Sequence, residues 1–415
     1  MTDSSTTDSG TEITTLATPS GDTAVEVTGT GTRPAIIADA TSRHASVPIQ
    51  TRNERFTSAD VRDFPEVTGR EASWKLTPVD RLGDLIAGAL DGNRYDYTAT
   101  EVDGVDVSWV TRADPRVGLA GIPEERASAN AWTRFEGALA ITLSGEEHRE
   151  ATIGRDAFGS APKAAHTIIE AKPFSDAVVI LDNSGPAHLS ENVEILVGDS
   201  AKLTVVTVQD FDDDARYVAT HFAKVGRDAT LKHVVVSFGG AVVRVNPAVT
   251  LAGTGADGEL LGVYFADAGQ HLEQQVFLFH KAANTRGRVN YKGALQGAGA
   301  RTVWIGDVLI GPDATGTDSY EQNRNLVLSE GTRADSIPNL EIETGDILGA
   351  GHASATGRFD DEQLFYLRAR GITELEARRL VVRGFLAEIV QKIGVPALEE
   401  RLHDAIEVEL AGGGR

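Results

Sequence analysis

The sequence predicts a mainly β protein, a long block of strands between a mixed α/β lead-in and a helical C-terminus. Three observations predict it. Short apolar-alternating runs follow one another between 145 and 349, separated by Gly, Asp and Asn, which tolerate tight turns. From 193 to 349 no long 3.6-residue period appears. After Gly349 the texture switches to reciprocal capping pairs followed by helically spaced apolar residues.

Residues 1–50 are rich in Thr, Ser and Gly, with few large apolar residues. Such a segment buries too little surface to offset its ordering entropy, so it reads as a disordered acidic tail. Residues 51–144 read as a mixed α/β region. RFTSADVRDF has helical spacing, and TPVDRLGDLIAGAL (77–90) reads as a short helix with Pro78 near its start. YDYTATEVDGVDVSWV (95–110) is strand-like and ERASANAWTRFEGALA (125–140) reads as helix.

Residues 145–349 contain the runs VEILV (193–197), LTVVTV (203–208), HVVVSF (233–238), VFLF (276–279), VWIGDVLI (303–310) and NLVL (325–328). Gly-x-x-Ala recurs at 198, 226, 253, 297, 311 and 331. A chain this rich in Gly and Ala produces some of these by chance, yet each sits beside a strand-like run. The irregular spacing fits stacked coils of a β-solenoid, with a large β-sandwich as the alternative that periodicity leaves open.

Residues 350–415 read as helical. Asp360 with Gln363 caps a first helix that Gly371 ends, and Thr373 with Glu376 forms a second capping box. Leu375, Val382, Leu386, Ile389 and Ile393 then fall on one apolar face. GVP (394–396) stops that helix, and a final amphipathic helix runs to about 410.

The composition excludes several functions. A net charge of −22 over 415 residues repels nucleic acid and anionic membrane. No apolar run approaches a membrane span, and MTDSSTTDSG lacks the pattern of a secretory signal, so a cytoplasmic protein is expected. The chain has no cysteine, so it can neither carry a persulfide nor supply thiolate to a metal or cluster. Any metal must come through His, Asp or Glu. P-loop, Gly-x-Ser-x-Gly and His-Glu-x-x-His motifs are all absent.

Three places carry candidate chemistry. DFDDDAR (210–216) gathers four carboxylates, which suits calcium or the acid–base pair of a solenoid carbohydrate-active enzyme, against the plainer reading of a solvated turn. His271 and Glu273 share a strand face and, with His280, form a weak metal-ligand set, against a polar outer face. His352 stands among Gly349, Ala350, Gly351, Ala353 and Ser354. Neighbours this small let another chain approach an imidazole able to ligate iron or zinc. An ordinary turn residue is the competing reading, and a purely structural β-helix predicts that changing it is silent.

The stretch GHASATGRFDDEQLFYLRARGI with the later EARRLVVRGFL resembles the C-terminal signature of the SufB/SufD family of iron–sulfur cluster assembly proteins. Ala350 stands where that signature often has Cys. His352 matches its His, and Gly357, Phe365, Tyr366, Leu367, Arg370, Gly371, Gly384 and Phe385 match the rest. NRNLVLSEGTRADSIPNLEI (323–342) and EASWKLTP (71–78) resemble two further family segments, so the resemblance covers about 70–390.

The resemblance implies a right-handed parallel β-helix with flanking helical regions. It also implies a non-enzymatic scaffold subunit, and the missing thiols make SufD the better match than SufB. Its partners would be a SufB-like paralogue at the β-helix edge and the ATPase SufC at the C-terminal helices. His352 would be its side of an iron or nascent-cluster site shared with SufB. No intrinsic cofactor is implied, and reduced flavin in the complex and a homodimer without the partner stay open. The residues expected at the ATPase interface are Asp361, Phe365, Tyr366, Arg370, Gly371, Gly384 and Phe385 within 361–393.

Overall fold

The computed structural model describes residues 55–358 and 361–411, together with two strands near the N-terminus. Those two, β1 (Ile13–Ala17) and β2 (Thr23–Val27), pair antiparallel and belong to a separate unit, 1–51. They fall inside the segment expected to be a disordered tail, and the remainder of that segment lies outside the described residues.

Two nine-stranded sheets make the body of the protein. One runs β4 (Val105–Thr111), β5 (Gly137–Leu143), β7 (Gly159–Ala171), β9 (Ala187–Val197), β11 (Arg216–Val225), β13 (Val242–Leu251), β15 (His271–His280), β17 (Arg301–Ile310) and β19 (Arg333–Ile342). The other runs β3 (Thr98–Ala99), β6 (His148–Arg155), β8 (Asp176–Gly185), β10 (Lys202–Phe211), β12 (Thr230–Ser237), β14 (Asp257–Ala266), β16 (Arg286–Leu295), β18 (Thr317–Val327) and β20 (Ile347–Arg358).

From β5 onward consecutive strands alternate between the sheets and every pairing is parallel, while β4 joins β5 and β3 joins β6 antiparallel at the start. The fold is therefore a parallel β-solenoid, not a sandwich. A coil advances 26 residues from Asp176 to Lys202 and 32 from Arg286 to Asp318.

The recurring Gly-x-x-Ala is a corner of this solenoid. The alanine N–H donates back to the glycine carbonyl at Ala201, Ala229, Ala256, Ala300 and Ala314, and all five methyls are buried. The third residue of the corner takes positive φ at Ser200 (58°) and Asp228 (53°), as a turn of type II requires. Only a small fourth residue fits against the coil above and below.

Strand side chains alternate between the interior and the two outer faces. The interior packs Leu203, Val205, Leu231, Val243, Val245, Leu272 and Leu278 into one continuous core. Both outer faces are also covered, which is why the strands read as near-continuous apolar runs. On the β8–β14 face lie α4 (Glu374–Val390) and α5 (Pro396–Leu410), whose Val382, Leu386, Ile389, Leu398, Leu402 and Ile406 meet Val206, Val208, Val234, Val236 and Val263. On the opposite face α1 (Gly83–Ala87) and α2 (Arg126–Arg134) pack with Trp74 against Val218 and Val242.

Four local expectations are corrected. RFTSADVRDF yields only a 3-10 turn, Val61–Asp63, and the helix expected over 77–90 is a 3-10 turn, Val79–Arg81, followed by the short α1. The helix expected over 125–140 stops at Arg134, and Gly137 onward is β5, buried on both faces. The strand block also continues past 349: His352 lies inside β20 and not at the head of a helical region. The capping box of Thr373 and Glu376 is present, and α3 (Asp361–Ala369) ends before Gly371, whose φ is +85°. Asp360, expected as the first cap, lies outside the described residues.

Candidate metal-facing site at the open end

The parallel register fixes what surrounds His352. Ser319, Glu321, Asn323 and Asn325 of β18 pair with Ala350, His352, Ser354 and Thr356 of β20. The four β18 residues face the solenoid interior and are buried. In-register stacking places each β20 partner over the same interior column. β20 and β19 end their sheets, so no strand among the described residues covers this last coil.

At that end the His352 side chain keeps 45% of its surface exposed, while its Nδ1 lies 3.7 Å from Oε1 of the fully buried Glu321. Ser354 Oγ donates to Ser336 Oγ across the coil at 2.8 Å, joining β20 to β19.

Beneath the last coil the interior turns polar. Tyr264 OH donates to Asn325 Oδ1 at 2.7 Å, Asn323 Nδ2 to Tyr264 OH at 2.8 Å, and Asn325 Nδ2 to Asn323 Oδ1 at 2.7 Å. Two tyrosines fit this layer because glycines face them in register: Tyr291 lies over Gly262, and Tyr264 over Gly293. A Cβ at Gly293 would sit 1.8 Å from the Tyr264 ring. Burial raises the Tyr264 hydroxyl above its ordinary range, against the opposing bond from Asn323.

His271 and Glu273 do meet, Nε2 to Oε2 at 2.8 Å, but His280 does not join them. Side chains of β15 alternate, and His280 has the opposite parity: it faces the interior, touching Thr285 Oγ1 at 2.8 Å and Ser319 Oγ at 3.0 Å. Burial pushes its imidazole down to about 4, so it is neutral.

Glu273 belongs to a clamp. It accepts from Arg244 Nε at 3.0 Å and from Thr77 Oγ1 at 2.9 Å, while Arg244 Nη1 donates to Glu125 at 2.7 Å and stacks 3.9 Å from the Trp74 ring. Burial alone would raise the Glu273 carboxyl, but His271 and Arg244 overcome it and hold it at about 2. This clamp fastens the EASWKLTP segment to the solenoid.

Asp212, Asp213 and Asp214 are exposed on the turn between β10 and β11, which the Ala215 N–H closes on Asp212 O at 2.9 Å. Among the described residues no three His, Cys, Asp or Glu are placed to hold a metal ion. Any cargo metal at His352 would therefore need further donors from outside the described residues.

The residues expected at the helical interface separate into two groups. Phe365 and Tyr366 on α3 are exposed at 75% and 56%, and Arg370 Nη2 donates to Tyr366 OH at 2.8 Å. Gly371 and Gly384 are exposed, with nothing within 4 Å of a Cβ placed there. Phe385, by contrast, packs on the solenoid under Lys292, whose ammonium lies 4.6 Å from the ring. Asp361 opens α3, and its side chain lies outside the described residues. A groove of about 380 Å³ runs between α4 and α5, lined by Ile372, Glu376, Arg379, Leu380, Arg383 and Glu407.

The family model of the SufBD core domain of SUF system FeS cluster assembly matches residues 155–385, more than half of the chain. The chain belongs to the SufBD family. An iron-sulfur cluster assembly SufBD family protein of Mycobacterium bovis is 48% identical over 369 residues, covering 86% of this chain and 93% of the relative. One of Mycobacterium leprae is 48% identical over 377 residues, covering 88% and 96%. A second SufBD family protein of Mycobacterium leprae is 28% identical, and this chain covers only 44% of it. The SufBD match thus takes in the solenoid from β7 through the last coil and most of α4.

Glu321 was not singled out by sequence reasoning. The signal was available: residues 317–325 are a strand-length run of almost wholly polar residues inside an apolar block, and such a run becomes buried only where polar groups satisfy one another. No helix of the described residues is long and apolar enough to cross a membrane.

Proposed function

We propose that this SufBD family chain is the SufD-like scaffold subunit of a cluster-assembly complex. It pairs through the edge of β19 and β20, which no strand among the described residues covers, with a thiolate-bearing SufB-like paralogue. In this reading the chain hydrolyses no ATP; a SufC-like ATPase does so, docked on the C-terminal helices, and the complex works in the cytoplasm. The observation that carries the proposal is His352, a half-exposed imidazole on the last coil of a chain without any cysteine. Such a subunit offers nitrogen to iron and leaves sulfur to its partner.

Two features support the partner assignments. An uncovered parallel edge presents unpaired backbone N–H and C=O groups, which a second β-rich chain satisfies. Phe365 and Tyr366 on α3, and Leu380 lining the groove, are large hydrophobic groups left exposed.

The test is co-expression with a SufB-like and a SufC-like protein, anaerobic purification, and iron and sulfide analysis for the native chain and His352→Ala. Loss of cluster loading with the complex intact supports the site. Unchanged loading removes His352 from the mechanism, and failure to form any complex removes the scaffold reading.

A further inference from the structure

We propose that Glu321 is the positioning residue for His352: it holds the imidazole in the Nδ1–H tautomer and leaves Nε2 as the metal-facing atom. The purpose of this arrangement rests on the scaffold reading above, while the arrangement itself stands on geometry alone.

The first observation is register. The parallel ladder puts Glu321 directly against His352, and alternation sends both toward the same interior column. Nδ1 of the ring lies 3.7 Å from Glu321 Oε1, so Nδ1 is the nitrogen that meets the acid. The carboxylate has no exposed surface, whereas the imidazole is 45% exposed, so the acid sits behind the base and not beside it in solvent.

The second observation is the space made for the carboxylate. A Cβ on Gly306 of β17 would lie 2.3 Å from Glu321 Oε2 and 2.2 Å from the Trp304 ring. Only glycine leaves room there for a carboxylate reaching across the interior. A glycine in the middle of a buried strand costs stability, because it packs no side chain and loses more freedom on folding. Here it is matched to the acid opposite.

The chemistry follows from these two facts. An unconstrained neutral imidazole favours the Nε2–H tautomer, which carries its lone pair on Nδ1. On His352 that lone pair would face a buried oxygen, an arrangement both groups resist. Proton placement on Nδ1 turns the N–H dipole toward the carboxylate, replacing repulsion by attraction across 3.7 Å, and frees the Nε2 lone pair. A carboxylate behind a ligating histidine also makes the imidazole a stronger donor, and removing such a partner typically lowers metal affinity 10–100-fold.

The experiment reads the tautomer directly. In the full chain with 15N-labelled histidine, long-range proton–nitrogen correlation distinguishes Nδ1–H from Nε2–H, and the His352 pattern is assigned by its loss in His352→Gln. The expected result is Nδ1–H in the native chain and a shift to Nε2–H in Glu321→Met, which removes charge and acceptor at similar length. If Glu321→Met does not fold, Glu321→Gln replaces it, with a smaller fall in the Nδ1–H population expected.

In the assembled complex, Co²⁺ is the probe, and 10–100-fold weaker binding is expected for the Glu321 variant. Nε2–H in the native chain, or Nδ1–H unchanged in the variants, overturns the proposal. Either result is independent of cluster loading, because the tautomer is read on the chain alone.

Discussion

Two histidines inside the solenoid should set its acid stability. His221 on β11 and His233 on β12 face each other across the interior, Nδ1 to Nε2 at 3.1 Å, and neither has exposed surface. Burial, with Arg155 second, holds His221 at about 3, and burial with the neighbouring imidazole holds His233 well below the ordinary 6.5. Both are neutral when folded, while in the unfolded chain each binds a proton near pH 6.5. Their folded values are depressed, so the unfolded state gains protons first, and stability falls as pH drops below 6.5.

Each histidine costs about 1.4 kcal/mol per pH unit, or about 2 kcal/mol between pH 7 and pH 5, so the pair costs about 4. That is a large share of a typical domain's 5–15 kcal/mol. The perturbation is the double variant His221→Leu with His233→Leu, which keeps volume near constant and removes both titrating groups. Urea midpoints at pH 7 and pH 5 give the assay. The native chain should lose about 4 kcal/mol more than the variant over that interval. An equal loss in both proteins refutes the reasoning, because it would mean that these imidazoles are protonated in the folded state or titrate the same way in the unfolded one.

Other substitutions read other parts of the fold. Gly306→Ala should destabilise by about 1–3 kcal/mol in urea unfolding, because its methyl meets Trp304 and the Glu321 carboxylate at once. Trp74→Ala should cost about 3–5 kcal/mol, by opening the outer core and removing the ring stacked on Arg244, and should increase proteolysis of the N-terminal segment. Arg401→Ala breaks a partly exposed pair with Asp182 at 2.6 Å and should shift the urea midpoint by no more than about 1 kcal/mol, leaving α5 docked.

Much of this fold was legible in the residues alone, for reasons that particular runs make plain. LTVVTV and HVVVSF are apolar on both strand faces, and the structure buries both, one face inside the solenoid and the other under α4 and α5. The Gly-x-x-Ala corners were visible but indistinct, because a Gly- and Ala-rich chain blurs any repeat of those two residues. The error at 137–143 has a different origin. GALAITL is buried on nearly every residue, and a run without polar alternation carries no period to separate strand from helix.

His352 was legible as a residue and not as a position. Gly and Ser favour turns and Ala favours helix, yet the ladder of β18 holds this stretch extended, a tertiary contact overriding a weak local preference. Glu321 escaped notice because Tyr320 and Gln322 are polar or amphipathic too, so the inward parity of the acid had no contrast in the sequence. His280 shows the converse: its spacing from Glu273 looked usable, but an odd offset along a strand sends two side chains to opposite faces.

A stack of coils is held coil to coil, and among the described residues the final one has a neighbouring strand on one side alone. Amide exchange should therefore be slowest in the middle of the stack and fastest in β20, where unzipping one strand leaves the other coils intact. The imidazole is mounted on the part of the molecule that detaches most cheaply. A partner that seats against that strand would supply the missing neighbour, so binding at the edge and rigidity at His352 become one event, separable from the stability of the protein as a whole.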